Sequence, residues 1–160
     1  MVKKKIFIIL PFKESLNPKL AGAVSLYVKD TTKYSKYKTN IKIISSEDTK
    51  NKLFRNKNYI LEFCRKYLNQ KIDIIELHNR PEYVRYIVKY FPNSKIILTF
   101  HNDPLSLRDS QKISEREYLL NKCSNIIFIS RWVQKRFYTS FLNLDYEKTK
   151  VIYHGVKKIK

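Results

Sequence analysis

The sequence predicts a doubly wound α/β domain, a mostly parallel sheet with helices on both faces. Short apolar runs rich in Ile, Val and Phe alternate along the chain with longer stretches whose apolar residues fall at helical spacing. Such alternation means parallel strands joined by crossover helices, and strands covered on both faces read as near-continuous apolar runs. The ends of the runs supply a further observation. KIILTFHNDP, at Lys95–Pro104, passes at once from strand-like residues to a histidine, an amide, a carboxylate and a proline. At 160 residues and 43% hydrophobic, the chain is one domain long and able to bury a core.

KIFIIL (Lys5–Leu10) is the first strand. It is too short for an export signal, Pro11 and Lys13 interrupt it, and no small-residue cleavage site follows. After a loop around Pro18 to Gly22, residues Val24, Tyr27, Val28, Thr31 and Tyr34 recur at helical spacing. IKIIS (Ile41–Ser45) is the second strand, and Ile60, Phe63, Cys64, Tyr67 and Leu68 make an amphipathic helix. IDIIEL (Ile72–Leu77) is the third strand. Pro81 suits the first turn of the helix through EYVRYIVKYF, where a missing N–H costs little, and that helix stops before Pro92. KIILTF (Lys95–Phe100) is the fourth strand. Ser114 and Glu117 have capping-box spacing and should open the next helix. NIIFIS (Asn125–Ser130) is the fifth strand, with Ser130 placed to cap RWVQKRFYTSF, and VIY (Val151–Tyr153) is the sixth.

The chain has three histidines, and each stands where a predicted strand finishes: His78, His101 and His154. Open parallel sheets bind ligands outside the carboxyl ends of their strands, so all three imidazoles should meet along one edge. Two of them carry nearly the same tail, His78-Asn79-Arg80-Pro81 and His101-Asn102-Asp103-Pro104. Asparagine offers donors and acceptors suited to sugar hydroxyls or phosphate oxygens, and Arg80 can grip an anion with two N–H groups. Turn-building alone would explain the Asn and Pro but not the histidines. His101 and Asp103 with either other histidine lack any tight ligand spacing, so no metal is expected. No G-x-S-x-G elbow, Walker A loop or G-x-G-x-x-G is present. Gly22 lies between the first strand and first helix, where bare backbone could approach a phosphate.

Thirty-three Lys+Arg against 14 Asp+Glu give a net charge of +19. Such a field favours nucleic acid, anionic lipid or phosphorylated substrates, although the lysines are spread along the chain as a solvated coat would be. Cys64 and Cys123 match no metal or redox spacing and read as core residues of a reducing compartment. No run approaches the ~18 apolar residues of a membrane span. A cytoplasmic protein is expected, with peripheral contact at an anionic membrane face as a use for the charge.

Taken together and in this order, DIIELHNRPEYV, KIILTFHNDP, SNIIFISRWVQKRF and KVIYHGV resemble the N-terminal domain of glycosyltransferase family 4. Those are retaining nucleotide-sugar transferases of the GT-B architecture, with two Rossmann-like halves. The resemblance covers nearly all of residues 1–160 and implies the acceptor-side domain. It implies contact with phosphate or acceptor at Ala21-Gly22, where alanine replaces the family's first glycine. His101 matches the histidine beside the transferred sugar, the position for transition-state stabilisation, and Asn102 and Asp103 would shape the acceptor side. Ser130-Arg131 would face the interdomain cleft, and His154-Gly155 would lead to the second domain. The family's acidic E-x7-E motif, which belongs to its donor-binding C-terminal domain, has no counterpart here, so the chain alone is expected to be inactive or very weak.

The function so implied is transfer of a sugar from a nucleotide-sugar co-substrate to a glycan or lipid-linked acceptor, in cell-surface polysaccharide or lipopolysaccharide assembly, with no other cofactor. Two alternatives stand beside it. One is a basic nucleic-acid-binding module, suggested by the charge and 14% aromatics but lacking any such motif. The other is a non-catalytic subunit that completes a separately encoded C-terminal domain.

Overall fold

The computed structural model describes residues 4–17, 19–46, 58–142 and 147–155. Along them run β1 (Ile6–Ile9), α1 (Ala23–Tyr34), β2 (Ile41–Ile44), α2 (Tyr59–Tyr67), β3 (Ile74–His78) and α3 (Tyr83–Tyr90). There follow β4 (Lys95–Phe100), α4 (Ile113–Lys122), β5 (Asn125–Phe128), α5 (Arg131–Phe137) and β6 (Thr149–Val151). The six strands make one sheet in the order β2-β1-β3-β4-β5-β6. Every neighbouring pair is parallel, as the alternating pattern predicts.

Strand order decides where the helices go. The chain steps from β1 to β2 in one direction along the sheet, and every later connection steps in the other. Because crossovers are right-handed, α1 falls on one face and α2 to α5 on the opposite one. The packing agrees. Ile8, Leu10, Val24 and Val28 form a small core under α1. Phe7, Ile75, Leu98 and Phe128 point the other way, into a large core with Phe63, Ile87, Leu119 and Phe137 of α2 to α5. On the α1 face, Glu76, Ile97 and Ile127 stay only half-buried. The reversal between β1 and β3 is the switch point, where open parallel sheets bind ligands beyond the carboxyl ends of their strands.

Three local details differ from the sequence expectation. β3 runs on to His78, which makes that histidine the last strand residue. β6 lies two residues earlier than expected, because β5 ends at Phe128 and Phe128 pairs with Val151. Ile152 takes one more bond, donating its N–H to the Phe128 carbonyl at 2.9 Å, and Tyr153 is then exposed. α4 opens at Ile113, and Glu115, not Glu117, reaches back to accept the Lys112 N–H at 3.0 Å. Ser114 therefore sits inside the first turn.

Both cysteines are buried and free, and burial pushes each thiol up to about 12. They are packing residues, inert toward redox chemistry. Arg116 is also buried, donating through Nη1 to the carbonyls of Ser110 and Gln111 at 3.1 and 2.6 Å and through Nη2 to that of Thr139 at 2.7 Å. It ties the start of α4 to the end of α5. Among the described residues no helix is long and apolar enough to cross a membrane.

Candidate functional site

The three histidines converge. His78 ends β3, His101 follows β4 directly, and those strands are neighbours. His78 Nδ1 lies 2.9 Å from His101 Nε2, so one ring donates to the other and the pair shares a proton between them. His154 arrives from the far edge of the sheet. Past β6 the chain turns back along the carboxyl ends and brings its ring centroid within 5.2 Å of that of His101.

Tyr27 of α1 stands at the centre of this group. Its ring stacks on His154 at 4.4 Å and meets His101 and His78 edge-on at 5.1 and 6.1 Å. Helical spacing puts Tyr27 on the same face as Val24 and Val28; in the structure it is half-buried against their core and also reaches the histidines from the position of α1. Glu76 is a second residue that the sequence reading passed over, although a carboxylate inside the apolar run IDIIEL was a visible signal. Its Oε1 lies 3.0 Å from His78 Nε2, at an approach too oblique for a hydrogen bond. Burial first, and then the charge of Glu76, raises the Tyr27 hydroxyl above its usual range.

Electrostatics set the protonation of the group. Burial, reinforced by His78 and His154, pushes His101 down to about 3. His154 is lowered by burial and by His78. At neutral pH His101 is therefore an uncharged hydrogen-bonding ring. Which of the two facing nitrogens, His78 Nδ1 or His101 Nε2, carries the hydrogen between them is set by the tautomers of the two rings.

The tail residues divide into different tasks. Asn79 holds positive φ (50°), and its Oδ1 accepts the N–H groups of His101 and Asn102 at 2.7 and 3.2 Å. It thereby fixes the turn after β4 from the turn after β3. Asn102 is exposed. Arg80 donates through Nη1 to the Asn79 carbonyl at 3.1 Å. Asp103 braces its own turn: Oδ1 accepts Leu105 N–H at 3.0 Å, and Oδ2 accepts Nε and Nη2 of Arg136 at 3.0 and 2.8 Å. The Arg136 bonds hold its carboxyl below the usual range.

Ser130 caps α5, accepting the Val133 N–H at 3.2 Å, and Arg131 is exposed beside it. Neither makes a hydrogen bond to the histidines among the described residues. Gly22 is the N-cap of α1, next to half-buried Ala21, but the helix start already has an anion. Glu14 Oε2 accepts Ser25 Oγ–H at 2.6 Å and Ser25 N–H at 3.3 Å. A methyl at Gly22 would sit 2.5 Å from Glu14 Oε1, so the missing side chain makes room for this internal carboxylate. Among the described residues no group of three or more His, Cys, Asp or Glu could hold a metal ion.

No family model matches the chain. A Bacillus subtilis (strain 168) protein named "Putative glycosyltransferase YtcC" is 27% identical over 146 residues, which is 84% of this chain and 35% of that protein. Among solved structures, Anabaena Alr3699/HepE in complex with UDP superposes with a TM-score of 0.57 at 16% identity, over 95% of this chain and 44% of that one. The same protein with UDP and glucose, and with UDP-glucose, gives TM-scores of 0.57 at 15% and 16% identity, each over 94% of this chain. The chain thus shares the fold of a nucleotide-sugar-binding protein and is similar in sequence to a protein named as a glycosyltransferase. It spans about a third of that relative's length and less than half of the solved chains.

Proposed function

We propose that this chain is the acceptor-side domain of a retaining glycosyltransferase of family 4, using a nucleotide-sugar donor. The observation that carries the reading is the convergence of His78, His101, His154 and Tyr27 at the switch point. The similarity to YtcC and the fold shared with the UDP-glucose complex support it.

In such a transfer the bond from the anomeric carbon to the nucleotide's phosphate oxygen breaks, and a bond from that carbon to an acceptor hydroxyl oxygen forms. The hydroxyl proton leaves with the departing diphosphate. His101, the catalytic residue, contributes a neutral, fixed hydrogen-bonding ring beside a sugar whose charge develops during bond breaking. A group with a pKa of about 3 is too weak a base to carry the proton at neutral pH, so its part is positioning and polar stabilisation. His78 and Asn79 hold the ring and backbone of His101, while Tyr27 and His154 wall the crevice. Ala21-Gly22 and Asn102 border it, and Ser130 and Arg131 face the donor side. The acceptor is a glycan or lipid-linked sugar of cell-surface polysaccharide or lipopolysaccharide synthesis, met at an anionic membrane face.

The test is a titration of the ¹⁵N-labelled chain with UDP-glucose and with free sugars, beside His101→Ala. Saturable shifts at Tyr27, His78, His101 and His154 that weaken in the variant are expected. Shifts confined to scattered lysines, equal in both proteins and abolished by salt, would overturn the reading in favour of non-specific anion binding.

A further inference from the structure

On the α2–α3 side of the same carboxyl edge lies a second cavity, of about 530 Å³. Three guanidinium groups from three separate segments reach it: Arg80 after β3, Arg85 in the first turn of α3, and Arg108 in the turn that follows β4. Phe12, Tyr83 and Tyr86 supply an aromatic wall. We propose that this cavity binds the phosphate of a phosphorylated sugar, the acceptor end of the transfer, with the guanidiniums on the phosphate and the aromatic wall on the sugar. The identity of the ligand as a sugar rests on the transferase reading above; the phosphate rests on the cavity.

The arginines keep donors in reserve. Arg80 gives one N–H to the Asn79 carbonyl and one to the Tyr83 hydroxyl, and its Nε stands 3.9 Å from Glu82. Arg85 is held by Nε on Asp109 at 3.2 Å and lies over the Tyr118 ring at 4.6 Å, which fixes the plane of its fork. Arg108 is exposed and has no hydrogen bond or ion pair among the described residues. Each guanidinium carries five N–H groups, so most donors here remain unused, in the planar geometry that suits phosphate oxygens.

Two carboxyls share the cavity. Asp109 is occupied by Arg85. Burial pushes the Glu82 carboxyl up despite Arg80 and Arg108 nearby, which eases its neutralisation when an anion enters. An aromatic face beside a charged fork suits a sugar, whose ring has an apolar C–H side and a polar rim.

A second, independent observation marks the same place. Among the described residues, four non-glycine positions hold positive φ, and three of them flank this cavity: Lys13 (72°) after Phe12, Asn79 (50°) before Arg80, and Asp109 (61°) after Arg108. Backbone held in that region stores strain, and such strain gathers at ligand sites. Asn79 also joins the two sites, since its carbonyl anchors Arg80 and its side chain anchors His101.

The experiment follows arginine Nε–H and backbone signals of the ¹⁵N-labelled chain. Inorganic phosphate, glucose 1-phosphate, glucose, and phosphatidylcholine vesicles with and without phosphatidic acid are added separately. Glucose 1-phosphate should bind saturably at Arg80, Arg85, Arg108 and Tyr86, more tightly than phosphate alone, with glucose giving no shift there. Arg108→Gln removes an unpartnered surface side chain, so folding is preserved, and it should weaken glucose 1-phosphate about tenfold. Lys33→Gln, on α1, should change nothing. Equal affinity in Arg108→Gln and wild type, or preference for phosphatidic acid vesicles over the sugar phosphate, would overturn the proposal. UDP-glucose shifts at the histidines without phosphate shifts at the arginines would sink this inference alone. Phosphate binding at the arginines with silent histidines would instead sink the transferase reading.

Discussion

Asn79 holds two strand ends together with one side chain. Its oxygen takes two backbone N–H groups from the neighbouring turn while its own backbone sits at positive φ, which asparagine tolerates better than most residues. Asn79→Ala leaves both N–H groups without that acceptor and strains the turn. It should cost about 2–3 kcal/mol in urea unfolding, whereas Asn79→Asp, which keeps the acceptor, should cost much less. His101 makes a pH-dependent contribution of a definite sign. Its folded pKa is about 3 against 6.5 for an ordinary histidine, so between those values the unfolded chain binds more protons than the folded one. Stability from this ring is full above about pH 6.5, declines as pH falls toward 3, and is lost below it. Thermal midpoints measured from pH 7.5 to 3.5 should therefore fall more steeply for wild type than for His101→Gln. Parallel curves would show that the ring is not held neutral by its surroundings.

At the scale of elements, α1 illustrates why part of the site was legible and part was not. Strand ends follow from where an apolar run stops, and parallel sheets gather those ends at one edge. That let His78 and His101 be assigned to a common rim from sequence. Tyr27 and Glu14 needed knowledge of which strands flank α1, and alternation of elements does not specify strand order. Glu14 caps the helix from eight positions before its N-cap, beyond the reach of local capping patterns. Glu14→Ala should lower stability by about 1 kcal/mol. Gly22→Ala should lose a similar amount by displacing the same carboxylate, and the two changes should be far from additive when combined. Full additivity in a double-mutant cycle would separate the glycine from the cap. The same limit explains β6, where the end of β5, and not the composition of VIY, decides which residues pair.

The whole molecule divides charge and core cleanly. Among the described residues every lysine except Lys148 is exposed, so much of the +19 is a solvated coat, as its even spread along the sequence suggested. Among the described residues the core is lopsided, with four α-helices on one face of the sheet and one on the other, and adjacent residues of a single strand should feel it. Ile126 is fully buried under the four-helix layer, whereas Ile127 is half-buried on the α1 face. Ile126→Ala should cost about 3–4 kcal/mol and Ile127→Ala about 1, measured by urea unfolding of both variants. The return of the chain after β6 has a consequence in time. Stacking of His154 on Tyr27 closes a loop that runs from residue 27 to residue 154 of the 160, the kind of contact whose closure entropy delays it most. During synthesis Tyr27 waits for the rest of the sheet to emerge, and a three-residue edge strand is all that then delivers its partner. The aromatic signals of that pair are thus a natural reporter of folding completion, the last to form and the first to vanish when the edge frays.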